Sequence, residues 1–187
     1  MWRLKKHMKH DIIEKIISLG AHKAGFVEVA DIKFDSAFRK LCESNACGNY
    51  NRSWMCPPCM GEINALIAQA KAYKHALVYQ KVDPLEDSYD FEGMMDAGKR
   101  MNDLTQKIRD TLGDEFGEHP LRLGAGGCRL CEKCAKITNE PCRYPDKAMS
   151  SLETFGVDVS ALAALAGMKY INGQDTVTYF GAVFFGE

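Results

Sequence analysis

No apolar run in these 187 residues approaches the roughly 20 needed to span a bilayer. The start, Met1 to His10, is basic but lacks an apolar signal core and a small-residue cleavage site. Formal net charge is only −1, so no global field recruits nucleic acid or an anionic membrane surface. There is no P-loop, and Gly124-Ala-Gly-Gly is too short of glycines for a dinucleotide fingerprint. The CxxxCxxC pattern of radical S-adenosylmethionine enzymes is missing, as is any internal repeat of fold size. These absences predict a cytoplasmic protein whose partners are neither nucleic acid nor membrane. A chain that is 46% hydrophobic and 26% charged has the apolar content for a proper core.

What the chain does have is eight cysteines in two groups. The second, Cys128, Cys131, Cys134 and Cys142, puts three thiols two residues apart on one short loop. Such crowding suits a polynuclear centre, because each iron of a cubane needs its own thiolate. Gly124, Gly126 and Gly127 precede this run and are candidate cofactor-binding positions. Glycine admits close backbone approach and positive φ, which lets amides point at sulfur. The first group, Cys42, Cys47, Cys56 and Cys59, also offers four sulfurs. Tyr50 and Trp54 stand ready to shield it from water, although core packing explains aromatics equally well.

In a reducing compartment clustered thiols hold metal or do redox chemistry more often than they form disulfides. Two [4Fe–4S] clusters are expected, with zinc as the alternative. Zinc, however, favours paired hooks on separated turns. Cys56-Pro-Pro-Cys59 also admits a thiol–disulfide reading, but no strand leads into it. In two-cluster ferredoxins the fourth cysteine of one run serves the other cluster, so the assignment of Cys142 stays open.

The periodicity predicts an α/β or α+β single domain with a central sheet of about four or five strands and packed helices. Two cysteine-rich metal-binding loops, 42–61 and 124–145, are inserted into it. Asp11 opens a helix whose stripe is Ile12, Ile13, Ile16, Ile17 and Leu19, ending at Gly20. Strands are expected at Ala24–Ala30, His75–Val82 and Leu121–Gly124. Helices are expected at Asp35–Leu41, Glu62–Lys74 and Gly93–Leu112. Ser150 and Glu153 read as a capping box before a helix that runs through Ser160–Ala166. Met168–Ile171 and Thr176–Phe185, joined by Asn172-Gly173, read as a terminal hairpin.

The remaining polar residues read as ordinary surface or core. This covers the five histidines, the basic end with Arg3, Lys5, Lys6 and Lys9, and the acidic stretch Asp83, Glu86, Asp87, Asp90 and Glu92.

Two runs together resemble a known family. They are Cys42…Cys47-Gly-Asn-Tyr50…Trp54-Met-Cys56-Pro-Pro58, and Gly124-Ala-Gly-Gly-Cys128…Cys131…Cys134…Cys142-Arg-Tyr-Pro145. The similarity continues through Ser151-Leu-Glu153…Gly156-Val-Asp-Val159, so it covers nearly the whole chain. The family is that of predicted metal-binding proteins, domain of unknown function 2284. The resemblance implies a small cytoplasmic metal binder without an established reaction. Cys59 is less typical of the pattern, which implies a first site of three cysteines and an outside ligand. Taken together, the expectation is an electron carrier serving a partner oxidoreductase. A zinc-stabilised binding module, or an enzyme with one open iron, are the other readings.

Overall fold

A computed structural model describes residues 6–186. Arg3 and Lys5 of the basic end lie outside the described residues. The element order is α1 (Lys6–Ser18), β1 (Lys23–Glu28), α2 (Phe38–Glu43), α3 (Ile63–Lys71), β2 (His75–Pro84), α4 (Phe91–Leu112), β3 (Leu121–Gly124), β4 (Ser150–Ser151), α5 (Val159–Leu165) and β5 (Thr176–Phe185). The five strands form one sheet in the order β1-β2-β5-β3-β4. All pairings are antiparallel except β3 with β4. The architecture is therefore α+β.

The alternation of side chains along the central strands builds two cores. Ala76, Val78, Phe180, Ala182 and Phe184 face one side, where Leu66 and Ala70 of α3 and Leu162 and Ala163 of α5 cover them. Leu77, Tyr79, Val183 and Phe185 face the other, against Ile12 and Ile16 of α1 and Met101, Leu104, Ile108 and Leu112 of α4. Because β2 and β5 are covered on both faces, their sequences read as near-continuous apolar runs. No described helix is long and apolar enough to cross a membrane.

Three sequence expectations need correction. The terminal hairpin is absent: β5 is a single strand, and residues 168–171 form none. Both edges of β5 are already paired, one with β2 and one with β3, so no edge remains for a hairpin partner. Met168 goes into the core instead, and Tyr170 stacks on Phe180 with centroids 6.0 Å apart.

Ser150 and Glu153 do not cap a helix. Ser150 belongs to β4, Glu153 opens a 3-10 turn over Glu153–Phe155, and α5 is capped by Asp158, which accepts from the Ala161 amide at 3.0 Å.

The acidic stretch is not uniformly solvated. Asp83 is buried within β2 and accepts from Arg100 Nε at 2.8 Å, and Asp90 caps α4 by accepting from the Gly93 amide.

Candidate metal centre

Both cysteine loops gather at the β3–β4 edge of the sheet. The first runs between α2 and α3, and the second is the crossover between the parallel strands β3 and β4. Side chains pin them together. Ser150 Oγ donates to the Met55 carbonyl at 2.9 Å, and Trp54 Nε1 donates to the Glu140 carbonyl at 2.9 Å. The Lys136 ammonium sits 4.6 Å from the Trp54 ring centroid. Trp54 thus packs on the second loop; only Tyr50 stands beside the first cysteine group.

All eight cysteines are free thiols. They sort between two cavities. Cys128, Cys131, Cys134 and Cys142 all line one of about 280 Å3. Its wall also carries Arg52, Lys133 and Arg143 against the single acid Glu132, so its surroundings favour an anionic occupant. Cys42, Cys47 and Cys56 line a second cavity of about 400 Å3, with the largely apolar wall of Phe38, Leu41, Tyr50, Pro57 and Tyr170. Cys59 lines neither. Asn49 lines both, and Cys56 feels the charge of Cys128 across the partition, so the two spaces adjoin.

Gly126 and Gly127, expected beside the second group, line the cavity of the first, and Gly124 lines neither. Gly126 has φ +64°, the left-handed backbone that favours glycine. The five histidines stay away from both cavities. His7, His10 and His75 pair instead with Asp11, Glu14 and Glu28.

Burial sets the thiol electrostatics. It pushes Cys56 up to about 11 and raises Cys42 against the pull of Arg39. Cys128 is raised by burial too, although the amides of Leu130 and Met149 donate to its sulfur. Cys134 is the exception. Burial pushes it up, but the amides of Lys136 and Trp54 and the Ser53 hydroxyl outweigh that and hold it below the usual thiol range.

Among the described residues, no three His, Cys, Asp or Glu side chains close on a single metal ion. The donor chemistry nonetheless suits a soft metal centre: free thiols share a cavity, and amides already point at two of the sulfurs. Arg39, on α2 three residues before Cys42 and outside the lining of the first cavity, adds a positive charge near that thiol. Nε and Nη2 of Arg39, whose charge acts on Cys42, are buried without a hydrogen-bond partner. A buried guanidinium left unpaired costs free energy, which a neighbouring anionic centre would recover.

Glu153 was missed by sequence reasoning as a site residue, because its spacing from Ser150 imitated a cap. It lines the first cavity with the three thiols, and burial raises its carboxyl above the ordinary range. No local pattern signals this, since Glu153 lies 97 to 111 residues from the three thiols in sequence.

The family described as predicted metal-binding protein, domain of unknown function 2284, matches residues 25–185. No curated protein and no solved structure gives a match.

Proposed function

The chain belongs to this family of predicted metal-binding proteins, and we propose that it is an iron–sulfur electron carrier with two centres serving a partner oxidoreductase. The observation that carries this reading is the sorting of the thiols. Four of one group line one cavity, three of the other group line its neighbour, and Asn49 stands in the partition.

The space supports a cluster over a lone ion. Four thiolates around one zinc at about 2.3 Å stand roughly 3.8 Å from one another and leave no room between them. A cubane gives each thiolate its own iron and therefore spreads the sulfurs around a body several atoms wide. A shared cavity of about 280 Å3 suits the second arrangement.

Cys128, Cys131, Cys134 and Cys142 would hold one cluster, and Cys42, Cys47 and Cys56 the other. When bound, such clusters supply reversible one-electron chemistry. The chain supplies the rest. The amides of Leu130 and Met149 at Cys128, and of Lys136 and Trp54 at Cys134, stabilise negative charge on sulfur and so raise the potential. Arg52, Lys133 and Arg143 act in the same direction around the cavity. Exposed Ile137 and Tyr144, on the loop that carries the second group, offer apolar area where a partner would dock.

Paired single variants test the two-centre assignment. After anaerobic preparation, Cys131→Ser and Cys47→Ser should each lose about four of about eight irons and keep the other centre's spectrum. Unchanged iron in Cys131→Ser would remove the assignment of the second group.

A further inference from the structure

The three-thiol cavity leaves its centre one protein ligand short of a fully cysteine-bound cluster, and two residues compete for the vacancy. Spacing alone favours Cys59, three residues after Cys56. The fold does not. Cys59 falls outside the cavity that Cys42, Cys47 and Cys56 line, while Glu153 lines it with them. We propose that Glu153, not Cys59, is the fourth protein ligand of the first centre, a carboxylate on one iron beside three thiolates. This rests on the iron–sulfur reading above.

Several independent features place the carboxylate for that role. Glu153 opens the 3-10 turn that packs against α2, and α2 carries Cys42 and Phe38 of the same cavity. The Glu153 charge is felt at the Cys42 thiol, so the two groups are neighbours in space. The turn itself is held rigidly. The Thr154 amide donates to Ser151 Oγ at 3.2 Å, that hydroxyl bonds the Thr154 hydroxyl at 3.1 Å, and Phe155 is buried in the core.

Glu153 makes no salt bridge with any described residue, and the charge of Arg39 acts on Cys42. The Ser151 hydroxyl and the residue's own backbone amide donate to the Glu153 carboxyl, which holds the side chain at the wall of the cavity that the three thiols line.

The chemistry of the mixed ligand set follows from softness. A carboxylate is a harder ligand than a thiolate and holds a cluster iron less firmly, so the iron at Glu153 is the first to leave or exchange. The cavity of about 400 Å3 opens beside that iron. The first centre is therefore the reactive one: with an added one-electron oxidant such as ferricyanide, [4Fe–4S]2+ releases one ferrous ion and gives up one electron to leave [3Fe–4S]+, and ferrous iron with an added one-electron reductant reverses the step. The second, with four thiols around it, stays intact.

The test compares Glu153→Gln, Glu153→Cys and Cys59→Ser with the unaltered chain after anaerobic reconstitution with ferrous iron and sulfide. Iron per chain and electron paramagnetic resonance spectra are read. Cys59→Ser should keep all of about eight irons, and Glu153→Gln should keep about seven, with the signal of a three-iron centre after mild oxidation. Glu153→Cys should regain the full iron count and resist that oxidation.

Full iron in Glu153→Gln, or iron loss in Cys59→Ser, overturns the proposal. Should Glu153→Gln fail to fold, an oxidation behaviour of Glu153→Cys identical to the unaltered chain overturns it equally. An unaltered chain that takes up neither iron nor sulfide sinks the underlying iron–sulfur reading instead, and is distinguishable for that reason.

Discussion

The guanidinium of Arg129 lies across Gly98 of α4, so close that a β carbon on the glycine would stand 2.8 Å from Cζ. Arg129 Nη1 donates to the Met95 carbonyl at 3.3 Å, tying the residue after Cys128 to the long helix. A buried glycine in the middle of a 22-residue helix is otherwise unfavourable. Its place here is explained by the side chain that crosses it.

Gly98→Ala should therefore separate folding from cluster retention. Helix propensity gains about 1 kcal/mol, and the flexible Arg129 swings away, so stability measured by urea unfolding should change by no more than about 1 kcal/mol. The second cysteine loop loses its anchor, and the cluster proposed for it should bleach several-fold faster in air, followed by visible absorbance. Unchanged bleaching would show that the Arg129 contact does not steady the loop.

Gly127 is the corresponding point in the partition between the cavities. A β carbon there would lie 3.0 Å from Asn49 Nδ2, and that same amide nitrogen donates to the Cys47 carbonyl at 3.3 Å. Gly127→Ala should push Asn49 aside and loosen the Cys47 backbone, at about 1 kcal/mol of stability. Iron loss is expected at the first centre rather than the second, which site-resolved spectra of the Cys131→Ser and Cys47→Ser backgrounds would distinguish.

How far the sequence carried the reading depends on whether the signal was local. Strand β3 at Leu121–Gly124 and the apolar stripe of α4 were legible because alternation and helical spacing are written along the chain. The grouping of Cys128, Cys131, Cys134 and Cys142 was legible for the same reason, as close spacing on one loop ensures closeness in space.

Glu153 was not legible. Its spacing from Ser150 matches a capping box, but β3 claims the Ser150–Ser151 backbone, and the helix waits until Asp158. The hairpin failed because a turn signal at Asn172-Gly173 says nothing about which strand edges are free. Trp54, Gly126 and Gly127 line the other cavity from the one expected, and Gly124 lines neither, because two loops from distant segments interlock and only the fold says how.

Arg39 gives a test of charge at the first centre. Arg39→Met removes buried, unpartnered donors, so the metal-free protein should be unchanged or up to about 1 kcal/mol more stable. With the centre loaded, the lost cation disfavours the reduced, more negative state. Its midpoint potential should fall on the order of tens of millivolts in a redox titration. A rise in potential would contradict the placement of Arg39 beside that centre.

Tyr79 gives a pH test of the fold that is independent of the thiol sites. Its hydroxyl, fully buried, donates to Thr105 Oγ1 at 3.1 Å, and burial raises its pKa from 10.0 to about 12. The phenol is neutral when protonated, so its contribution is whole below pH 10 and lost as pH climbs toward 12. In metal-free protein, Tyr79→Phe should cost about 1 kcal/mol near neutrality through the lost hydrogen bond. It should also remove a loss on the order of 2 kcal/mol across the alkaline window. Cys56, raised from 9.0 to about 11, contributes its own alkaline slope to both proteins and cancels in the comparison. Parallel curves above pH 10 would contradict the burial of this phenol.

Iron, acid-labile sulfide and zinc measured together on anaerobically purified protein bear most directly on whether the two thiol-lined cavities hold clusters. About eight irons and a matching amount of sulfide per chain are expected, with negligible zinc. Stoichiometric zinc without sulfide, or a colourless chain free of iron, would contradict it.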